Sequence, residues 1–168
     1  DGAGRPATGD LEAVDARVID GTIHMVHQIT EAVVHHAFDM TADRWVMTDS
    51  PVAVVEAVSQ MASLAVRDDG RLVAVFLGDR LYYADRGANG AWSEPQVLDP
   101  EAEAMTVGPQ AVTGGDDAVH IAYADVTGAI WLRTLAGDGG LSERRHIAAG
   151  AVTGEEDYGA VLPLVHVA

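Results

Sequence analysis

One four-strand pattern recurs three times along the chain and begins a fourth time, and a recurrence of this kind constrains the fold more than any local propensity does. The clearest copy runs from Ser63-Leu-Ala-Val-Arg-Asp-Asp-Gly70 into Arg71-Leu-Val-Ala-Val-Phe-Leu77. It continues through Arg80-Leu-Tyr-Tyr-Ala84 and ends on Trp92-Ser-Glu-Pro-Gln-Val-Leu98. Before it lie Ala16 to Gly21, Thr22 to Gln28, Ala32 to Phe38 and Arg44 to Met47; after it come Gln110 to Asp117, Ala118 to Ala124, Ala129 to Arg133 and Leu141 to Ile147. The fourth copy starts at Ala151-Val-Thr-Gly-Glu-Glu-Asp157 and stops after a second segment, Ala160 to Ala168.

Valines 18, 66, 112 and 152 occupy matching places, at spacings of 48, 46 and 40 residues. A period of roughly 40 to 50 residues with four short strands per unit is the signature of a β-propeller blade. The fold class is therefore all-β. The blades fall at about 15–48, 62–99 and 109–148, with a partial one at 150–168. Asp-Gly, Gly-Gly and Asn-Gly dipeptides between segments supply the positive φ that tight hairpins need. The middle segments are apolar on both faces, as in a sheet sandwiched between two others. A β-sandwich is the alternative, and it favours stricter alternation.

Ala84-Asp-Arg-Gly-Ala-Asn-Gly90 followed by Trp92-Ser-Glu-Pro-Gln-Val-Leu98 resembles the repeats of the sialidase-like propeller superfamily, the Asp-box type. Those families place an Asp-x-Gly turn between the third and fourth strands, followed by a tryptophan that packs across the blade. Asp85-Arg86-Gly87 with Trp92 is similar to a stretched version of that box, and Asp43 with Trp45 and Asp138 with Leu141 are more degenerate copies. The resemblance covers nearly the whole chain. It implies propeller blades and, by association, a lectin or a glycoside hydrolase, with secretion as the fitting compartment.

Composition removes several classes. Ten basic against 26 acidic residues give a net charge of −16, a field that repels nucleic acid but not a neutral sugar, a cation or a basic protein. Cysteine is absent, which excludes disulfides, thiolate catalysis and thiolate zinc sites. All ten basic residues are arginines, so no lysine Schiff base can form. The longest apolar candidate, Val52 to Val66, is interrupted by Glu56 and Gln60, and no run reaches the roughly 18 residues of a membrane span. The chain begins at Asp1 without methionine, which reads as a mature, trimmed or excised form. No G-x-S-x-G, H-E-x-x-H or phosphate-binding loop occurs.

Closed propellers typically carry about four to eight blades, and three and a half do not obviously close. An exposed blade face invites association. The expected partner is a second copy, giving seven blades, or a companion chain carrying the other half.

Strand order converts the sequence into two ends. First-to-second turns carry Asp20, Asp68, Asp69, Asp116, Asp117, Glu155, Glu156 and Asp157, and third-to-fourth turns add Asp39, Asp43, Asp85 and Asp138. That end is acidic. It suits a basic partner or calcium, which takes converging carboxylate and carbonyl oxygens, although solvated Asp-Gly turns explain the same residues. At the opposite end the loops Gln28 to Glu31, Gly78 to Arg80 and Asp125 to Gly128 place Glu31, Asp79, Arg80 and Asp125 where propeller enzymes and lectins bind, beside the long returns Thr48 to Met61 and Asp99 to Pro109. Aromatic rings stack on sugars while arginines hydrogen-bond hydroxyls, so Trp131 with Arg133 and Tyr82 with Arg80 complete the candidate ligand set.

Seven histidines raise the question of a metal. His24 and His27 are three apart on one strand and diverge, as do the neighbours His35 and His36. His24 and His120 match Val73 in the middle repeat, which suits structural roles, and no resident metal or other cofactor is expected. No arginine motif or Tyr–Glu pair of a sialidase is recognisable, and no catalytic residue is assigned. Three functions stand: a non-catalytic lectin with glycan sites in blade clefts, an interaction scaffold using the acidic end, and half of a processed glycoside hydrolase or lyase.

Overall fold

The computed structural model describes residues 14–29, 32–54, 62–101, 108–125 and 127–149. They form twelve strands in three antiparallel four-stranded sheets of consecutive strands. Sheet A holds β1 (Val14–Ile19), β2 (Thr22–Ile29), β3 (Ala32–Asp39) and β4 (Arg44–Val54). Sheet B holds β5 (Ala62–Val66), β6 (Leu72–Leu77), β7 (Leu81–Arg86) and β8 (Gln96–Asp99). Sheet C holds β9 (Gln110–Thr113), β10 (Val119–Ala124), β11 (Ile130–Leu135) and β12 (Arg145–Ala148). There is no helix among the described residues, and none long and apolar enough to cross a membrane. The partial fourth repeat, 150–168, lies outside the described residues.

Sheet B explains its own apolar sequence. Side chains alternate across a strand, so Val73, Val75, Leu77, Leu81 and Tyr83 pack against Ala111, Val119, Ile121, Tyr123 and Leu135 of sheet C. Leu64, Leu72, Ala74, Phe76 and Ala84 point the other way, against Val26, Val33, Val52 and Ala53 of sheet A. Strand β6 is buried along its whole length, whereas Gln96 and Val97 of the outer strand β8 stay exposed. The first strands bring the sheets together: β5 lies against β1 on one side and against β9 on the other.

Register makes the repeats superimposable. Val18↔Ile23↔Phe38↔Trp45 in sheet A matches Val66↔Leu72↔Arg86↔Trp92 in sheet B and Thr113↔Val119↔Leu135↔Leu141 in sheet C. The third equivalent of Val18 is thus Thr113, not Val112, one residue from the place the valine spacing gives it. Polar groups also cross between sheets. Asp15 accepts from Ser63 Oγ and from the Leu64 amide, both at 2.9 Å, and Ser63 Oγ in turn accepts from the Ala111 amide at 3.0 Å.

The turns behave as their chemistry predicts. Asp20 and Gly21 form a two-residue hairpin with φ of 47° and 78°, which only a short polar residue and glycine adopt readily. Two expectations fail. Strand β4 does not end at Met47 but continues to Val54 through register shifts; Pro51, lacking an N–H, is tolerated because β4 is an edge strand. Asp85 is not a turn residue. It lies in β7, and Asn89 matches Asp138: each caps its own hairpin by accepting an amide, from Ala91 at 3.0 Å and from Gly140 at 2.9 Å.

Candidate functional site

The junction of sheets B and C, the B–C cleft below, brings charged and aromatic side chains together. Its floor is Asp99, the last residue of β8, which is fully buried. A buried carboxylate must be partnered, and Asp99 has three partners. The Tyr123 hydroxyl of β10 donates to its Oδ2, the Glu101 amide donates to Oδ1 at 2.9 Å, and an Arg144 Nη1 stands 3.7 Å away. Burial, reinforced by Asp99, drives the Tyr123 hydroxyl far above the usual tyrosine range, so it serves as a proton donor rather than a nucleophile.

Arg144 is the hub. Its other Nη lies 2.7 Å from Glu101, and the guanidinium sits over the Trp131 ring at 4.1 Å from the centroid. Trp131, on β11, donates its indole N–H to Asp125 at 2.8 Å, and His146 meets its ring edge at 5.1 Å. Asp125 also accepts from the amides of Thr127 and Ala129 and from the Thr127 hydroxyl. Burial raises its pKa, but these donors outweigh it and hold the carboxyl below the ordinary range. Arg133 reaches from β11 across the cleft and donates to the Leu98 carbonyl, while its Nε is buried without a partner.

Of the sequence-predicted ligand residues, Asp125, Trp131 and Arg133 therefore meet in this cleft. Asp79, Arg80 and Tyr82 do not join them. Tyr82 packs toward sheet A, stacked 6.0 Å from Phe76, and its hydroxyl donates to Asp79 at 2.6 Å. That bond and burial raise the Tyr82 pKa. Arg80 stays exposed at the hairpin tip. Glu31 lies outside the described residues.

The two groups are nevertheless one construction used twice. Register equates Phe76 with Tyr123, Tyr82 with Trp131, Pro95 with Arg144, and Ala53 of sheet A with Asp99 of sheet B. In each cleft an aromatic of the third strand hydrogen-bonds an aspartate of the preceding hairpin. The B–C cleft carries the charged version. The A–B cleft lacks the buried aspartate and the arginine and holds an open groove of about 370 Å³ lined by Pro51, Val52, Val54, Trp92, Glu94 and Pro95 among others. Sequence reasoning missed Asp99, Glu101, Tyr123 and Arg144, because three repeats contribute nothing alike at those places. The one available signal was a tyrosine, an aspartate and an arginine near strand ends of neighbouring repeats, Asp99 on one side of the cleft and Tyr123 with Arg144 on the other.

The acidic turn end is mostly engaged with itself. Asp69 takes the Arg71 amide and its Nε, Asp39 takes the Thr41 and Ala42 amides, and Asp117 of sheet C takes the Asp68 amide from sheet B. Among the described residues no three His, Asp or Glu side chains converge to hold a metal ion. The histidines instead pair. His24 Nδ1 and His35 Nε2 are 3.0 Å apart on the face toward sheet B, and His27 and His36 are 3.1 Å apart on the other face.

No known protein-family profile matches the sequence, and no curated protein does. Solved structures are similar in fold. A mutant of the NanB sialidase from Streptococcus pneumoniae aligns at a TM-score of 0.57 and 13% identity, over 74% of this chain and 21% of the sialidase. A fucose lectin from Kordia zhangzhouensis, solved in complex with methyl-fucoside, aligns at 0.52 and 12% identity, over 82% of this chain and 99% of the lectin. This chain thus spans about a fifth of the sialidase but nearly the whole of the lectin chain. At these identities the likeness is one of fold alone.

Proposed function

We propose that this chain is a carbohydrate-binding, lectin-like module whose sugar site is the B–C cleft, and that its sheets are blades of a propeller completed by further chain. The observation that carries the reading is Arg144, clamped between Asp99 and Glu101 above the Trp131 ring at the mouth of an inter-blade cleft. A sugar ring needs an apolar wall for its C–H face and charged donors and acceptors for vicinal hydroxyls. Arg144, lying over Trp131, is the donor, the exposed Glu101 carboxylate the acceptor, and the part of the half-buried Trp131 ring that Arg144 leaves uncovered the wall. The fold shared with a fucose lectin of nearly the same span adds support.

The same geometry favours a neutral sugar over a sialylated one. Two carboxylates, Asp99 and Glu101, already neutralise Arg144, Asp125 adds a third negative charge behind Trp131, and the whole chain carries −16. A sugar carboxylate entering there gains no free cation.

A glycan array carrying neutral and sialylated structures, followed by calorimetric titration with methyl-fucoside, tests this. Neutral, deoxysugar-bearing glycans are expected to bind, and Trp131→Ala and Arg144→Ala each to weaken binding by tenfold or more, about 1.4 kcal/mol. Failure of every glycan to bind, or unchanged affinity in both variants, would refute the reading.

A further inference from the structure

Asp99 and Arg144 stand close enough to pair directly, yet they do not bond. Asp99 is fully buried, and a buried carboxylate draws the nearest cation onto itself. Arg144 Nη1 stops 3.7 Å from Asp99 Oδ2, within reach of the charge but well beyond the roughly 2.8 Å of a charge-assisted hydrogen bond. The other Nη of the same guanidinium approaches Glu101 to 2.7 Å, so the side chain closes on a carboxylate where nothing else fills the place. At Oδ2 the place is filled. The Tyr123 hydroxyl donates to that same oxygen, while the Glu101 amide takes Oδ1 at 2.9 Å. Arg144 is therefore anchored at one end and held back at the other, and its Nη1 makes no hydrogen bond to a described residue.

The hydroxyl goes with the aspartate. In the equivalent places of the A–B cleft stand Phe76, Ala53 and Pro95, a ring without a hydroxyl where there is no carboxylate to hold and no guanidinium to place. Phe76 and Tyr123 are 0% and 2% exposed, so the two rings fill the same packing position and the hydroxyl is the difference between them.

We infer that Tyr123 is a positioning residue of the B–C cleft: by donating to Asp99 Oδ2 it holds Arg144 off the buried carboxylate and leaves Nη1 free to donate to a ligand hydroxyl. The inference rests on the sugar-site reading above and adds the group that keeps the donor available. Tyr123 acts through Asp99 and Arg144, from beneath the cleft. Without the hydroxyl, Oδ2 of a fully buried carboxylate loses its donor, and the unsatisfied acceptor is costly. Arg144 Nη1 has to travel only about 1 Å to replace it, and in doing so is withdrawn from the ligand. The rival cation, Arg133, is committed through Nη1 to the Leu98 carbonyl.

Two variants of the full chain test this, Tyr123→Phe and the same change combined with Asp99→Asn, with circular dichroism and urea unfolding to verify the fold of both. One readout needs no ligand. A crystal structure of Tyr123→Phe is expected to place Arg144 Nη1 within hydrogen-bond distance of Asp99 Oδ2. The other readout is calorimetric titration with methyl-fucoside. Tyr123→Phe is expected to bind it at least tenfold more weakly than the wild type. The double variant is expected to return to within about threefold of the wild type, because a neutral amide draws the guanidinium in far less than a carboxylate does. An Arg144 that stays off Asp99 in the Tyr123→Phe crystal, or a loss of affinity below threefold, would overturn the inference. So would a double variant that binds as weakly as the single one, since the loss would then come from disturbed packing around the ring. A wild type that does not bind methyl-fucoside would count against the sugar reading alone. The crystal structure would then decide the role of Tyr123 by itself, a closed Arg144–Asp99 contact supporting it and an open one refuting it.

Discussion

Replacing Arg67 with alanine is expected to cost about 3–5 kcal/mol of folding free energy, the usual cost of breaking a buried ion-paired network by removing one partner. Arg67 is 2% exposed and follows β5. From there it donates to the Asp117 carbonyl at 2.6 Å and the Ala136 carbonyl at 3.3 Å, both in sheet C turns, and lies 3.6 Å from Asp85 and 3.7 Å from the Asp117 carboxylate. The neighbouring Asp68 amide donates to Asp117 at 2.7 Å. One side chain thus ties two turns of sheet C to sheet B. Its loss leaves the two carbonyls without this donor and takes the neighbouring cation from Asp85, while Asp117 keeps the Asp68 amide and Arg71. Arg67→Lys keeps the charge but lacks the planar fork, and is expected to recover less than half of the loss. Urea unfolding of the three proteins, compared at matched m-values, measures it.

Acid is expected to unfold this protein through His35. The ring is fully buried in sheet A, edge-on to Trp92 at 5.5 Å and paired with His24, and its Nδ1 has no partner. Burial, then the nearby Arg86 charge, lowers its pKa from 6.5 to about 3. The same causes lower that of His24. The folded state therefore binds fewer protons than the unfolded state between these values. The stability from a neutral His35 is complete above about pH 6.5 and is lost progressively as pH falls toward 3, at about 1.4 kcal/mol per pH unit within the window. The other side of the balance is the charge of −16: protonating carboxylates relieves self-repulsion and opposes the loss. The buried histidine wins because its penalty is local and unscreened. Urea midpoints at pH 7.5, 5.5 and 4.5 are expected to fall steadily in the wild type. In His35→Phe, which keeps a ring against Trp92, they are expected to fall less steeply, with His24 still contributing; an equal slope in both would show that His35 does not set the acid limit.

The three sheets are legible because a four-strand repeat leaves a periodic trace. Asp-Gly turns, a doubly apolar second strand and Trp92 with its surroundings recur at spacings that only a stacked four-strand unit explains. The spacing blurs where one side chain substitutes for another in the same row, as Thr113 does for Val18 and Val66. It also blurs in β4, where an edge strand runs on through Pro51 and reads as a loop. Asp85 misleads because a strand aspartate facing the buried Arg67 has the same letter as a turn aspartate.

The candidate site is half legible. Trp131, Arg133 and Asp125 lie within nine residues of one another, so a hairpin alone brings them close. Asp99, Glu101 and Arg144 come from the ends of other strands, and Asp99 belongs to a different sheet. Their meeting depends on how sheet C leans on sheet B, which strand periodicity does not encode. The contrast with the A–B cleft makes the point in particulars: Ala53, Phe76, Tyr82 and Pro95 fill the places of Asp99, Tyr123, Trp131 and Arg144. The same scaffold therefore yields a cleft with a buried aspartate beneath an arginine in one place and a groove without either in the other, through four differences.

The most direct test of the B–C cleft as the sugar site is a two-dimensional nitrogen–proton spectrum recorded during titration with methyl-fucoside. Three tryptophans give three indole N–H signals. Trp131, whose N–H is bonded to Asp125 beneath Arg144, is expected to shift and saturate with the calorimetric affinity, while Trp45 and Trp92 stay in place. No shift at any of the three, or a saturating shift confined to Trp92 in the A–B groove, would contradict the account.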